Sequence, residues 1–210
     1  MNPTLINISK AILLGVYCFF CWLMLKITLQ YYPVSFDVAF LRIKQEYVVM
    51  LHYKIAFYGH VVFSIFALLA GFTQFSKTIR TSYTHIHRAI GKVYIYTILF
   101  AAAPTGLLLS VYANGGWSSR LGFCLLAVGW IVFTAIAWKA LGEKDYTKHQ
   151  QFMIRSFALT LSAITLRFWK YVIVFLFAPR PMDVYQIVAW LGWVLNLIIA
   201  EVLIFKYIRK

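Results

Sequence analysis

Apolar and polar positions along this chain are segregated into long blocks rather than mixed. Six blocks are long enough for a helix to cross a bilayer, at residues 12–29, 50–75, 87–112, 121–141, 150–177 and 184–205. Within three of them the polar and small residues recur at helical spacing. In the second they are His60, Ser64, Ala67, Gly71 and Gln74. In the third they are His87, Gly91, Tyr94, Ala101 and Thr105, with Pro104 as a predicted kink. In the fifth, read as one continuous helix, they are His149, Ser156, Thr160, Ala163, Arg167 and Lys170. Spacings of three, four or seven put each set on one face. The pattern therefore predicts an all-α membrane bundle of six helices with a polar core between helices two, three and five. Helix four carries no such face and reads as a packing or lipid-facing helix. Residues 34–46 mix apolar and charged positions too densely to span, and predict a short amphipathic segment on the membrane surface. Residues 76–84 read as a basic loop, and 114–116 as a turn.

Composition sharpens this picture. Hydrophobic residues make up 62% of the 210 and charged residues 12%, about half the charge of a soluble domain. The net charge of +14 does not point to nucleic acid, because the cations lie between apolar runs and form no single patch. Eleven Lys/Arg fall at the ends and loops shared with the termini, including Lys10, Arg209 and Lys210, against five on the opposite loops. That bias predicts both termini in the cytoplasm. The first apolar run exceeds a signal-peptide core and reads as a retained helix. The whole chain, 1–210, reads as one transmembrane domain. Cys18, Cys21 and Cys124 make no disulfide framework and read as small apolar residues.

Ionisable groups at membrane depth face a bundle interior or a wet cavity, and mark candidate sites. Glu201 is the one carboxylate inside an apolar run, at a depth resembling that of Arg155, so the two read as a structural pair. Arg167 has no such partner. It shares its depth with His60, and the two form a candidate substrate site for a quinone-like head or a small anion. The plainer alternative has Arg167 snorkelling to the interface and His60 bonded to a backbone carbonyl. At the other end, His87 and His149 open helices three and five and are candidate ligands. With His85 and Asp145 nearby, the same two histidines would serve a zinc or iron ion.

The stretches YGHVVFSIFALLAGFTQF, HRAIGKVY and KHQQFMIRSFALTLSAITLRF resemble a bacterial family of predicted membrane proteins of unknown function, over roughly Tyr58 to Tyr171. That resemblance implies a bacterial inner membrane and no known activity. The histidines near helix ends are also similar in pattern to those of transmembrane b-type cytochromes and ferric-reductase-like bundles. This second likeness implies a redox protein, with His87 and His149 as axial ligands of one b-type haem. A second bis-histidine site is not available, because His60 stands alone on its side. The rival expectation is a non-catalytic carrier of small solutes or lipid, or an assembly partner of a larger membrane complex.

Overall fold

The computed structural model describes residues 3–208, the side chains of 3–7 and 10 excepted. Arg209, Lys210 and the Lys10 side chain, used above to orient the chain, lie outside the described residues. The first helix, α1 (Pro3–Leu29), is followed by a 3₁₀ turn at Ala39–Lys44 and a short α2 (Gln45–Val48). Then come α3 (Leu51–Thr73), a short α4 (Lys77–Ser82) and α5 (Thr84–Thr97). A π-helical turn at Ile98–Ala102 joins α5 to α6 (Ala103–Val111). The chain continues through α7 (Gly116–Gly142), α8 (Tyr146–Thr160), α9 (Ser162–Phe177) and α10 (Pro181–Tyr207). Among the described residues, five spans are long and apolar enough to cross a membrane, six if the bent pair α8–α9 counts as one.

Neighbours in sequence pack side by side. α3 lies against α5 and α6, α7 against α6 and α8, and α10 against α7, α8 and α9. α3 also reaches α8, and α1 lies outside, on α3 and α9. Glycines set the closest approaches, since lipid supplies no hydrophobic drive between helices and small residues let backbones meet. A Cβ at Gly71 would sit 2.6 Å from the Phe157 ring and 2.7 Å from that of Tyr94, so α3, α5 and α8 converge there. A Cβ at Gly192 would sit 2.9 Å from Leu166 Cβ, which brings α10 against α9.

Four local features depart from the sequence pattern. The fifth helix is not continuous: it bends by 41° at Leu161. No proline causes this. The Asn196 side chain on α10 donates to the Ala158 carbonyl at 3.0 Å, and also serves Thr165 and Gly192. A bond from outside thus stabilises a carbonyl at the break. In helix three, Pro104 lacks the N–H that would close an ordinary turn, and the Ala103 N–H reaches Ile98 five residues back. The inserted residue rotates the following face, so Ala102 and Ala103 are fully buried while Ala101 is only half-buried. The basic loop at 76–84 contains α4, whose cap Ser76 accepts from the Ile79 N–H at 3.4 Å.

The surface segment at 34–46 is instead a cap folded onto one end of the bundle. Leu41, Lys44 and Val48 are buried, and Tyr31 and Phe40 pack on Phe57. Lys44 anchors it. Its ammonium donates to the Tyr112 carbonyl at 2.5 Å and to Asn114 Oδ1, with the Tyr47 ring 5.0 Å away. Burial pushes the Lys44 amine below the ordinary lysine range.

Candidate functional site

Beneath that cap lies a cavity of about 530 Å³. This is within the size range of small-molecule sites. α3 supplies Tyr53, Phe57, His60 and Ser64; α9 supplies Ala163, Leu166, Arg167 and Lys170. The inner part is mainly apolar, with Met24, Ile65, Leu68, Leu126, Trp130 and Leu159 beside Thr160 and Ser162. Arg167 and Lys170 line the cavity as well, with Tyr31 and Tyr185 within electrostatic range of Arg167.

Both residues of the candidate substrate site line this one cavity. His60 Nδ1 lies 2.8 Å from the Ala102 carbonyl. A carbonyl only accepts, so that nitrogen carries a proton, and the ring is fixed with Nε2 left for Ser64 or a ligand. Its neighbour is Gly106, where a Cβ would stand 2.8 Å from His60 Cε1. The carbonyl bond anticipated as the plainer alternative is therefore present, together with the cavity. Arg167 donates one hydrogen bond, to the Ala163 carbonyl at 2.6 Å, one turn back on its own helix. Among the described residues no carboxylate forms a salt bridge with it. Arg167 is exposed to this cavity and to a recess shared with Lys170, Tyr171 and Val174.

The cavity floor rests on a buried polar network. Tyr94 Oη is 2.9 Å from Ser156 Oγ and 2.8 Å from Thr160 Oγ1. Trp130 Nε1 donates to Thr160 Oγ1 at 3.0 Å, and Thr134 Oγ1 meets Ser156 Oγ at 2.7 Å. The network ties α5, α7 and α8 together, and two of its members, Trp130 and Thr160, line the cavity. Helix four is therefore not featureless. Trp130 and Thr134 stand four apart on one face, the only signal that could have marked them.

At the far end, His149 Nδ1 bonds the Ala137 carbonyl at 2.8 Å, leaving Nε2 open. His87 lies within electrostatic range of His149, Arg80 and Arg88, and its Nδ1 is buried without a hydrogen-bond partner. The wider metal set does not assemble. Among the described residues no three His, Cys, Asp or Glu side chains form a metal-binding group. Asp145 is used as the N-cap of α8, accepting from the Lys148 N–H at 2.9 Å, and His85 is exposed. Neither His87 nor His149 lines the large cavity.

Arg155 and Glu201 are brought together. Arg155 Nε donates to Oε1 at 2.5 Å and the neighbouring nitrogen to Oε2 at 2.8 Å, with the Phe152 ring 4.6 Å from the guanidinium.

A family described as "Predicted membrane protein (DUF2306)" matches residues 57–204. The chain belongs to the DUF2306 family. The match takes in His60, His87, His149, Arg155, Arg167 and Glu201, and begins after α1 and the cap. The name DUF2306 carries a membrane location and no activity. No curated protein and no solved structure matches the chain.

Proposed function

We propose that this DUF2306 protein is a non-catalytic binding protein of the membrane, holding a small molecule with a carbonyl or oxyanion head between Arg167 and His60. One observation carries the reading: a cavity of about 530 Å³ contains a guanidinium with no carboxylate partner among the described residues. A cation at membrane depth needs hydrogen bonds, water or a counter-charge. Arg167 has made one such bond within its own helix. Its planar fork is suited to a carbonyl, carboxylate or phosphate oxygen. His60 Nε2 complements it as an acceptor for any hydroxyl on the same head. A quinone-like head and a small anion both satisfy this pair. We further place the cap on the outer face and both termini in the cytoplasm of a bacterial inner membrane. Lys77, Arg80, Arg88, Lys92, Lys139, Lys144, Lys148 and Lys206 gather at the end away from the cap and support that orientation.

A second reading puts a b-type haem between His87 and His149. In its favour, the Ala137 carbonyl orients the His149 ring with Nε2 outward, as a metal-bound imidazole is held by its second shell. Against it, the large cavity is lined by neither histidine. One experiment addresses both readings. The protein is purified in mild detergent, its absorption spectrum is recorded, and bound small molecules are extracted and weighed by mass spectrometry. The expected result is no haem band and a near-stoichiometric oxygen-headed molecule that Arg167→Gln no longer retains. A haem band lost in His149→Ala would favour the second reading. Equal retention by wild type and Arg167→Gln would remove the first.

A further inference from the structure

The cap roofs the cavity, and this limits how a ligand arrives. Tyr31, Ala39 and Phe40 lie over its polar end. Tyr31 and Leu41 are buried, and Lys44 pins the cap to the end of α6 and the turn after it through Tyr112 and Asn114. Below the roof, α3, α6 and α7 make a wall in which each helix packs along its neighbour. The side formed by α1 and α9 is different. α1 packs on α3 and α9, and its outward face of Leu13, Val16, Phe19 and Trp22 is exposed. Its junction with α9 is held by side chains of modest reach. Phe20 meets Phe168 edge-on at 6.3 Å, and Cys21 and Met24 join Ile164 in a small apolar cluster. Towards the cap this junction borders the cavity through Ile27 and Thr28 on α1, and Arg167 and Lys170 on α9. The recess formed by Arg167, Lys170, Tyr171 and Val174 adjoins the same two cations on α9, and Tyr171 is 76% exposed.

We propose that the cavity is loaded sideways from the bilayer, through the seam between α1 and α9, by a single-chain amphiphile. Its oxyanion head stops at Arg167 and Lys170, and its chain lies over Met24, Leu68, Leu126 and Trp130. This rests on the cavity being the binding site and names the class of molecule it takes. The lining carries its cations at the cap end and is mainly apolar within, where Thr160 is already engaged by Trp130 and Tyr94, which is the polarity of such a molecule. The two cations stand three residues apart on α9, so both can reach one head group. From Arg167 to the level of Leu159 is eight residues, at most about 12 Å at the helical rise given the bend at Leu161, room for a chain of medium length. A solute from the water on the cap side would have to displace the roof. An amphiphile already in the membrane needs only the aromatic and apolar contacts of the seam to part.

The test uses the full chain in phosphatidylcholine vesicles. A fatty acid brominated near its tail end is added, and the quenching that depends on Trp130 is followed in time against Trp130→Phe. Cysteines replace Phe20 and Phe168 in a chain whose Cys18, Cys21 and Cys124 are alanine, and a short cleavable thiol reagent bridges them. Bridging is expected to slow Trp130-dependent quenching by about tenfold or more, as a locked lid does, with full recovery on cleavage. The matching bromo-alcohol, lacking the oxyanion, is expected to give no Trp130-dependent signal. Unchanged loading through a bridged seam would overturn the lateral route while leaving the cavity as the site. Equal binding of acid and alcohol would overturn the oxyanion assignment. No Trp130-dependent quenching in the unbridged chain would overturn the single-chain amphiphile as the occupant, while the extraction from wild type and Arg167→Gln separately decides the cavity reading.

Discussion

Glu201 gives both carboxylate oxygens to Arg155, across the contact between α10 and α8. The pair is asymmetric in setting: the Arg155 side chain is 10% exposed and that of Glu201 50%. It accounts for one of the two arginines in the α8–α9 pair. The other, Arg167, is left to a carbonyl and a cavity. Glu201→Gln would leave the enclosed guanidinium with a weaker acceptor. Because the acid itself is half-exposed, the expected loss is about 1–3 kcal/mol, below the cost of breaking a fully buried pair. Thermal unfolding in detergent reads it directly, and a change of less than a few tenths would mean the pair is incidental.

Gly192 should tolerate nothing larger. A Cβ there would stand 2.9 Å from Leu166 Cβ and 3.0 Å from Leu166 Cα, a backbone that cannot swing aside. Gly192→Ala is expected to destabilise by about 1–3 kcal/mol, as overpacking does. Gly15→Ala, where the added carbon would meet nothing within 4 Å beyond the backbone of its own helix turn, is the control and should be close to neutral. Equal melting temperatures for the two variants would argue that α9 and α10 are not held this closely.

The hydroxyl network makes a separate prediction. Tyr94→Phe removes one oxygen from contact with Ser156 and Thr160, while the ring still fits beside Gly71. The expected cost is about 1–2 kcal/mol, from lost hydrogen bonds in a buried setting. Thr134→Val should cost a similar amount, and the double variant less than the sum, since the two share Ser156. Strict additivity in the double-mutant cycle would show that they act separately.

Lys44 gives the cap a pH dependence. Burial holds its amine below the ordinary lysine range when the cap is closed. In the alkaline window between that lowered value and the ordinary one, the open state binds more protons than the closed state. Closure is therefore favoured as pH rises through that window. Limited proteolysis of the cap should slow accordingly. Lys44→Met should remove the slope. A cap that loosens with rising pH in the wild type would contradict the burial argument.

The spans and their inward faces were legible because helical periodicity survives burial. His60, Ser64 and Gly71, or Ser156, Thr160 and Arg167, can be counted off without a structure. What escaped depends on contacts between distant segments. The bend at Leu161 follows from Asn196, thirty-five residues away and one polar side chain in an apolar run. The π-turn before Pro104 moved the buried face from Ala101 to Ala102 and Ala103, a shift that proline marks but does not quantify. Lys44 reads as an interfacial cation until Tyr112 and Asn114 are folded over it. Trp130 and Thr134 look like ordinary packing residues until Tyr94 and Ser156 supply their partners.

The central claim is that the Arg167 fork recognises a bound oxygen-rich head, and charge-preserving substitution tests it most directly. Binding isotherms of a medium-chain fatty acid are measured for wild type, Arg167→Lys and Arg167→Gln, each first shown to be monodisperse. Loss of a two-pronged, charge-assisted contact is worth about 1.5–3 kcal/mol, so Arg167→Lys is expected to bind about tenfold or more weakly, and Arg167→Gln more weakly still. Equal affinity for wild type and Arg167→Lys would contradict the claim, and would mean that Arg167 serves only as a cation held at the membrane interface.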